Sequence, residues 1–472
     1  MDNFRHPLSG PGMLAVVTVV GGDSDRLTPA YEDVFDAFPS LPSLRSLSSL
    51  RSLRSFPMLL LLRATGAHMH PMVKPALRRG WRDLGTVQFG MTPAHAMTLG
   101  PLDTATGSFL DLLNGTRGLP LLREEARRMD LPDGHADRLV ERLARAGLLD
   151  DARGGGAAAD TLRERKEAMD RLGPDLASLS LITREPGEAM ERLAARREAR
   201  VQVKGAGRVG AVLAALLSGA GVGEVDVRDG GCVEPGDVAP GGLSAEAVGE
   251  RRDTAARRAA RAAAPDRPAR RTPRTRPERE ERGFTLVVLA PRDDIAVHAP
   301  DPSAAAALIE SGTPHLYAGV VEGTGVVGPL VLPGGTGCAG CLHRDRTDRD
   351  GTWPRLVAQW RSGGPRHVRP CDLSLAATVA ALSAAHALAF LDGESPSSTG
   401  ARWEVSLPGL NWRARPVWPH PSCPCGAAGK TERERASKNG EPRATMAEQR
   451  PSSTPCRRAD AARLAGTWRA HV

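Results

Sequence analysis

Four cysteines carry the strongest chemical signal in this chain. Cys338 and Cys341 lie in CAGC, Cys423 and Cys425 in HPSCPCG, two close pairs about eighty residues apart. Thiolates are soft ligands, and four of them satisfy tetrahedral zinc at about 2.3 Å with no position left open for a substrate. An iron–sulfur centre and ordinary reduced thiols are the alternatives. A closed four-thiolate zinc site is structural, and it would clamp the carboxy-terminal strands to the rest of the fold. His343 and His420 lie close by and read as neighbours of such a site rather than ligands. Cys232 and Cys371 stand apart from both pairs. Each is either a nucleophile or a plain buried thiol, and no base is visible beside either.

The second signal is Val201 to Asp229, VQVKGAGRVGAVLAALLSGAGVGEVDVRD. Val201 and Val203 begin a buried strand. Gly205, Gly207 and Gly210 let the backbone turn tightly and approach a phosphate before a helix over Val209 to Leu217, whose amino-terminal amides favour an anion. Asp229 ends the next strand, where an acid accepts hydrogen bonds from ribose hydroxyls. Strand, glycine loop, helix and strand form half of a Rossmann-type unit. The competing reading is that the glycines only permit close packing of helix on sheet.

These residues need a framework to hold them. FTLVVLAP reads as a buried strand, Ser303 to Ser311 as a crossover helix and HLYAGVV as the next strand. Strands alternating with helices imply a mostly parallel sheet with right-handed crossovers. GVVGPLVLPGG and ARWEVSLPGLNWRARPVW extend it with antiparallel strands on either side of Leu373 to Leu391, which is apolar nearly all round and reads as a buried helix stopped by Asp392 and Gly393. The expected fold is α/β, a Rossmann-like sheet over 201–426 with a zinc-clamped antiparallel extension. Before it, TVQFG and AMTLGPLD are strand candidates, and three helices follow: one around Ser108, one over LPLLREEARRM, and one over GHADRLVERLARAGLL with Asp133 as its cap. Residues 73–151 therefore read as a small winged-helix-like α+β domain. Its third helix alternates acid and base, which favours a peptide or protein partner over DNA. Gly154 to Gly156 mark a linker, with helices over Thr161 to Leu172 and Gly187 to Arg200 completing 152–200. Residues 1–68 contain the low-complexity tract SLPSLRSLSSLRSLRS and read as disordered or as a mis-assigned start, and 427–472 as a disordered tail.

Composition narrows the classes further. The chain has 472 residues, enough for two or three domains, and 41% hydrophobic content, enough for proper cores. Only five of its 63 basic residues are Lys, so the net charge of +8 reflects composition bias more than a nucleic-acid surface. Twelve of the Arg fall within Arg251 to Arg282, a proline-broken, solvated connection. Seven cysteines in this arrangement suit a reducing cytoplasm better than a disulfide framework. The apolar runs Leu14 to Val20 and Met58 to Leu62 are too short to cross a bilayer, and the opening makes a poor secretory signal.

Taken in order, GAGRVG, GVGEVDVRD, the VEP loop, LVVLAP, VGPLVLPGGTGCAGC and HPSCPCG resemble the ThiF family of the ubiquitin-like-modifier-activating superfamily over about 201–426. Residues 73–151 are similar to the peptide-clamp domain of ThiF-like proteins from ribosomal peptide natural-product (azole and azoline) pathways. The resemblance implies ATP and Mg2+ as cofactors for adenylating a carboxylate, a precursor leader peptide and a YcaO-type enzyme as partners, and a homodimer. It carries the nucleotide-binding roles to Gly205, Gly207, Gly210 and Asp229, puts Arg208 where the family has a glycine, and places Gly231 where a second acid is usual. It sets Asp237 and Pro240 where an Asn and an Arg are usual, Arg252 at a catalytic Lys and Asp293 at a Mg2+-binding Asp. Losing those groups removes charge that stabilises phosphoryl-group transition states. The expectation is a scaffold that presents a leader peptide to its partner enzyme, with degenerate ATP chemistry. An active adenylyltransferase acting on a peptide or carrier-protein C-terminus is the second reading, and a DNA-binding regulator the third.

Overall fold

The computed structural model of the protein describes residues 69–266, 283–363 and 368–429. The low-complexity opening 1–68, the stretch 267–282 and all but the first three residues of the expected tail lie outside the described residues.

The amino-terminal module holds strands β1 (Pro71–Val73), β2 (Arg79–Asp83), β3 (Thr86–Phe89), β4 (Met97–Leu99) and β5 (Leu149–Asp151), with helices α1 (Thr104–Phe109), α2 (Leu119–Arg128) and α3 (His135–Arg145). β2, β3 and β4 form an antiparallel sheet in that order, and β1 pairs antiparallel with β5 so that the two ends of the module meet. Val87 and Phe89 point inward from β3 and meet Phe109, Leu122, Leu139 and Leu143 of the helices in one core. β2 is an edge strand with all five residues exposed, Trp81 among them. Asp133 does not cap α3. The cap position is Gly134, with no side-chain hydrogen bond.

The expected linker is a packed unit. Helices α4 (Gly156–Arg163), α5 (Lys166–Ile182) and α6 (Glu188–Arg196) share a core of Leu162, Leu172, Leu179 and Leu193. The single helix expected over Thr161 to Leu172 is divided between α4 and α5. A Cβ on Gly154 would lie 2.7 Å from the Cα of Gly187, so glycine there lets two backbones touch rather than providing slack. Lys74 ties this unit to the first module: it is buried, and its Nζ donates to Thr183 O at 2.6 Å. Burial pulls its pKa down, and Asp150 and Glu188 act against that pull.

The largest element is a seven-stranded sheet. Its strands are β6 (Arg200–Lys204), β7 (Glu224–Arg228), β8 (Leu286–Leu289), β9 (His315–Val321), β10 (Thr324–Val331), β11 (Ala401–Ser406) and β12 (Asn411–Pro416), in the spatial order β12-β11-β10-β9-β8-β6-β7. β7, β6, β8 and β9 run parallel, joined through α7 (Arg208–Gly219), α8 (Arg252–Ala263), and α9 (Asp294–His298) with α10 (Ala306–Glu310). From β9 onward every pairing is antiparallel. β8 reads LVVL and is buried throughout, as a strand covered on both faces must be. The chain leaves β6 for β7 on one side and returns to β8 on the other. That reversal opens a crevice beyond the carboxyl ends of the strands, where ligands of such folds sit.

Helices α11 (Ala339–Arg349), α12 (Trp353–Ser362) and α13 (Leu373–Leu391) complete the fold. By length and composition α13 is the one helix among the described residues that would reach across a bilayer. It packs on α7, β9 and β10 through Leu375, Val379, Ala380, Ala384 and Ala387. It buries one face only, whereas its composition suggests burial all round; Ala377, Ala381 and Ala385 are exposed.

Candidate functional site

The glycine loop leaves β6 and enters α7 as the spacing predicts. A Cβ on Gly205 would lie 1.9 Å from the carbonyl oxygen of Ala290, and one on Gly210 would lie 2.0 Å from that of Gly205. Those contacts are backbone on backbone, so no side chain is tolerated at either position. Gly207 caps α7, and a Cβ there would lie 2.8 Å from Cγ of Arg292. The side chain of Arg292 therefore packs directly against the loop at Gly207.

Asp229, Asp237 and Glu234 beside this loop are each paired with arginines, whereas Arg208 Nε is buried without a hydrogen-bond partner among the described residues. Asp229 Oδ2 accepts from the Ala206 amide at 2.6 Å, and Oδ1 accepts from Arg252 Nη1 at 2.7 Å, so both oxygens are engaged. Arg252, with a side chain 5% exposed, donates Nε to Asp237 Oδ2 at 3.1 Å and its terminal nitrogens to the carbonyls of Gly230 and Cys232. Asp237, 4% exposed, also receives Arg292 Nε on Oδ1 at 2.7 Å, and Arg292 reaches on to Glu234 at 2.9 Å. Glu234 and Asp237 belong to a one-turn capping box that folds the VEP loop over the site. Arg208 opens α7 and donates to Cys371 O at 2.8 Å, a cation where the helix dipole favours an anion.

Five of the expected nucleotide and catalytic residues thus meet here: Gly205, Gly207, Gly210, Asp229 and Arg252. Arg208 turns aside to the loop before α13. Asp293 is exposed, and its carboxylate caps α9 by accepting from the Ile295 amide at 3.0 Å. Arg292 was not anticipated from the sequence, although an arginine at the carboxyl end of a parallel strand, next to an expected metal-binding acid, stands where the crevice opens. Neither single cysteine is set up as a nucleophile: Cys232 is exposed with no base bonded to it, and burial pushes the Cys371 thiol up.

The four paired cysteines converge. Cys338 caps α11 and Cys341 lies one turn on, so both thiols share a face, and the segment after β12 brings up Cys423 and Cys425. All four Sγ atoms lie within 4.8 Å of one another, with contacts of 3.8, 3.7 and 3.6 Å around the cluster. A zinc tetrahedron with bonds of about 2.3 Å has sulfur–sulfur edges of about 3.8 Å, so the cluster fits zinc, and no pair is at disulfide distance. Donation from Cys338 holds the Cys341 thiol well below the usual range. Cys338, Cys341 and Cys423 are buried beside Tyr317 and Val331 of the sheet. The nearby histidines are occupied elsewhere: His420 bonds Asp348 at 2.8 Å and His343 faces Trp353 Nε1 at 3.2 Å.

Fold and site together define a nucleotide-fold α/β protein with a four-cysteine cluster on its carboxy-terminal extension. The family model for the ThiF family matches residues 179–426, just over half of the chain, and the chain belongs to that family. Among curated proteins no sequence matches it. Several solved structures share the fold. MccB of E. coli, in a structure with MccA-N7isoASN, has a TM-score of 0.54 at 14% identity, covering 76% of this chain and 100% of that one. MccB of E. coli with ATP scores 0.53 at 14% identity, covering 75% and 99%. PaaA scores 0.51 at 17% identity, covering 74% and 100%.

Proposed function

We propose that this chain holds a precursor peptide for modification by a partner enzyme, and that its own nucleotide chemistry has lapsed. The observation that carries the reading is the closed ion-pair chain Asp229–Arg252–Asp237–Arg292–Glu234. A ribose would have to displace Arg252 from Asp229, and a triphosphate would have to displace Arg292 from above Gly207 while facing the carboxylate of Asp237. Deleting one partner of a buried pair costs about 3–5 kcal/mol, and a ligand that takes its place offsets only part of that. ATP and Mg2+ would have to compete with these pairs, which supports the scaffold reading, and no catalytic step is assigned to Arg252 or Asp293.

A peptide partner is supported by the family and by the likeness in fold to MccB, a microcin C7 biosynthetic enzyme seen in complex with N-formylated MccA. The three short helices and three-stranded sheet over 73–151 support a winged-helix reading of that module. Its free edge β2, with Trp81 exposed, offers the backbone groups onto which an extended peptide adds as a further strand. The partner enzyme would be of the YcaO type, and the outward small-residue face of α13 would take a second copy of the chain. A zinc ion held by Cys338, Cys341, Cys423 and Cys425 would be structural, fixing α11 to the segment after β12, and the whole would work in the reducing cytoplasm.

Active adenylyl transfer is the second reading, favoured by the intact loop geometry and by Asp229 still bonded to the Ala206 amide. Pyrophosphate exchange with labelled ATP, run beside fluorescence anisotropy on a labelled leader from a short precursor encoded near this chain, separates the two. The expected result is leader binding weakened about tenfold by Trp81→Ser, with no exchange. Exchange that Arg252→Ala abolishes would overturn the scaffold reading.

A further inference from the structure

A cavity of about 400 Å3 lies between α11, α12 and the β11–β12 hairpin, remote in sequence from the glycine loop. Its size is that of a small-molecule site. Arg402, from β11, forms part of its wall and is only 2% exposed. It donates Nη1 to the carbonyls of Val297 and His298, at 3.1 and 3.3 Å, and Nε to Glu404 at 3.0 Å. Arg346, from α11, donates Nη1 to that same His298 oxygen at 2.8 Å and lies over the Trp353 ring, 4.7 Å from its centroid. Glu404 is also taken by Arg415, at 2.7 Å. Among the described residues no carboxylate comes within 4 Å of Arg346.

Two guanidinium groups, Arg346 and Arg402, therefore converge on one carbonyl oxygen, and two, Arg402 and Arg415, share the carboxylate of Glu404. Like charges held together away from water repel strongly, and an anion placed between them would relieve that repulsion. Burial, then Arg402, draws the Arg346 pKa down to about 10, which leaves it charged at neutral pH. His298 adds no further positive charge, since burial and both arginines hold it near 4 and neutral.

The chemistry of the anion follows from the lining. Four arginines face three carboxylates, of which Asp345 is paired with Arg349 and Asp350 is bonded to Thr352. The surplus is one charge, which suits a monoanion better than a phosphate. Guanidinium forks match the planar carboxylate. Trp353, Leu342 and Val417 add an apolar wall.

We propose that this cavity is a carboxylate-binding site, in which a monocarboxylate on an apolar body bridges Arg346 and Arg402 with its body against Trp353. Its source is a peptide C-terminus or a small free acid, and the site stands whether or not the chain presents a precursor peptide.

Calorimetric titration of the full chain tests this with N-acetyl-Leu-Leu, its C-terminal amide, hexanoate and inorganic phosphate. The free acid should bind at least about tenfold more tightly than the amide, and Arg346→Gln should remove that advantage. Glu404→Gln should melt lower than the wild type yet bind the acid severalfold more tightly, a gain that misfolding does not produce. Hexanoate matching the dipeptide acid supports the site with a small acid as its source; a dipeptide preference of about tenfold or more supports it with a peptide C-terminus. Equal affinity for acid and amide, tighter binding of phosphate, or no binding of any probe at about 10 mM overturns the proposal.

Discussion

The glycine loop and the cysteine cluster sit at two places on one sheet, and they differ in where their polar groups find partners. At the loop, every carboxylate has an arginine: Asp229 has Arg252, Asp237 has Arg252 and Arg292, and Glu234 has Arg292. At the cluster, four sulfurs face one another and take only backbone amides besides, with no charged side chain paired to them among the described residues. On the proposed reading, a ligand entering the first would compete with protein contacts, whereas an ion entering the second would complete them. Resemblance to a known site therefore reports on binding only after one asks which of its groups are already spoken for.

Three changes would break or sharpen that contrast. The largest effect is expected at the cluster. Cys341→Ser should abolish bound zinc, read by mass spectrometry of the metal, and lower stability by on the order of 5 kcal/mol or more. Unchanged melting would mean that the cluster needs no ion. Next comes Arg252→Met, which leaves Asp229 and Asp237 short of a buried cation and should cost about 3–5 kcal/mol in urea unfolding. A cost near zero would show that the network is not the closed structure described, and would reopen the loop to nucleotide. The smallest effect is expected at the rim. Glu234 is 65% exposed, and its pair with Arg292 is screened by water, so Glu234→Gln should shift stability by about 0.5 kcal/mol or less. A rim effect as large as that of Arg252 would mean that stability comes from the whole network rather than its buried centre.

How much of this was legible beforehand depends on whether the determining contact is local. The strand, glycine loop and helix from Val201 to Leu217 could be read because their pattern is contained within one βα unit, and the pairing of CAGC with HPSCPCG because few other residues share that chemistry. The position of Arg252 was legible too. Its partners were not, because Asp229 and Asp237 lie 23 and 15 residues away, and which oxygen a guanidinium reaches is decided by packing. Arg292 gave no periodic signal at all. The three glycines from Gly154 suggested a spacer, yet Gly154 is held against Gly187, a contact 33 residues away in sequence. In α13 the low content of charged residues suggested burial on every side, but small alanines are as compatible with a solvent-facing side as with a core.

Gly205 and Gly210 have one further consequence. Each packs on backbone at less than the distance any side chain allows, a contact made between protein atoms alone. Selection for a well-packed first βα turn is therefore enough to keep this fingerprint after its ligand has gone. In a lineage that abandoned the reaction, the glycines would be among the last residues to drift, and the acids and bases facing the crevice among the first. Glycines of this kind follow from the packing of the first βα turn, whatever the crevice beside them holds.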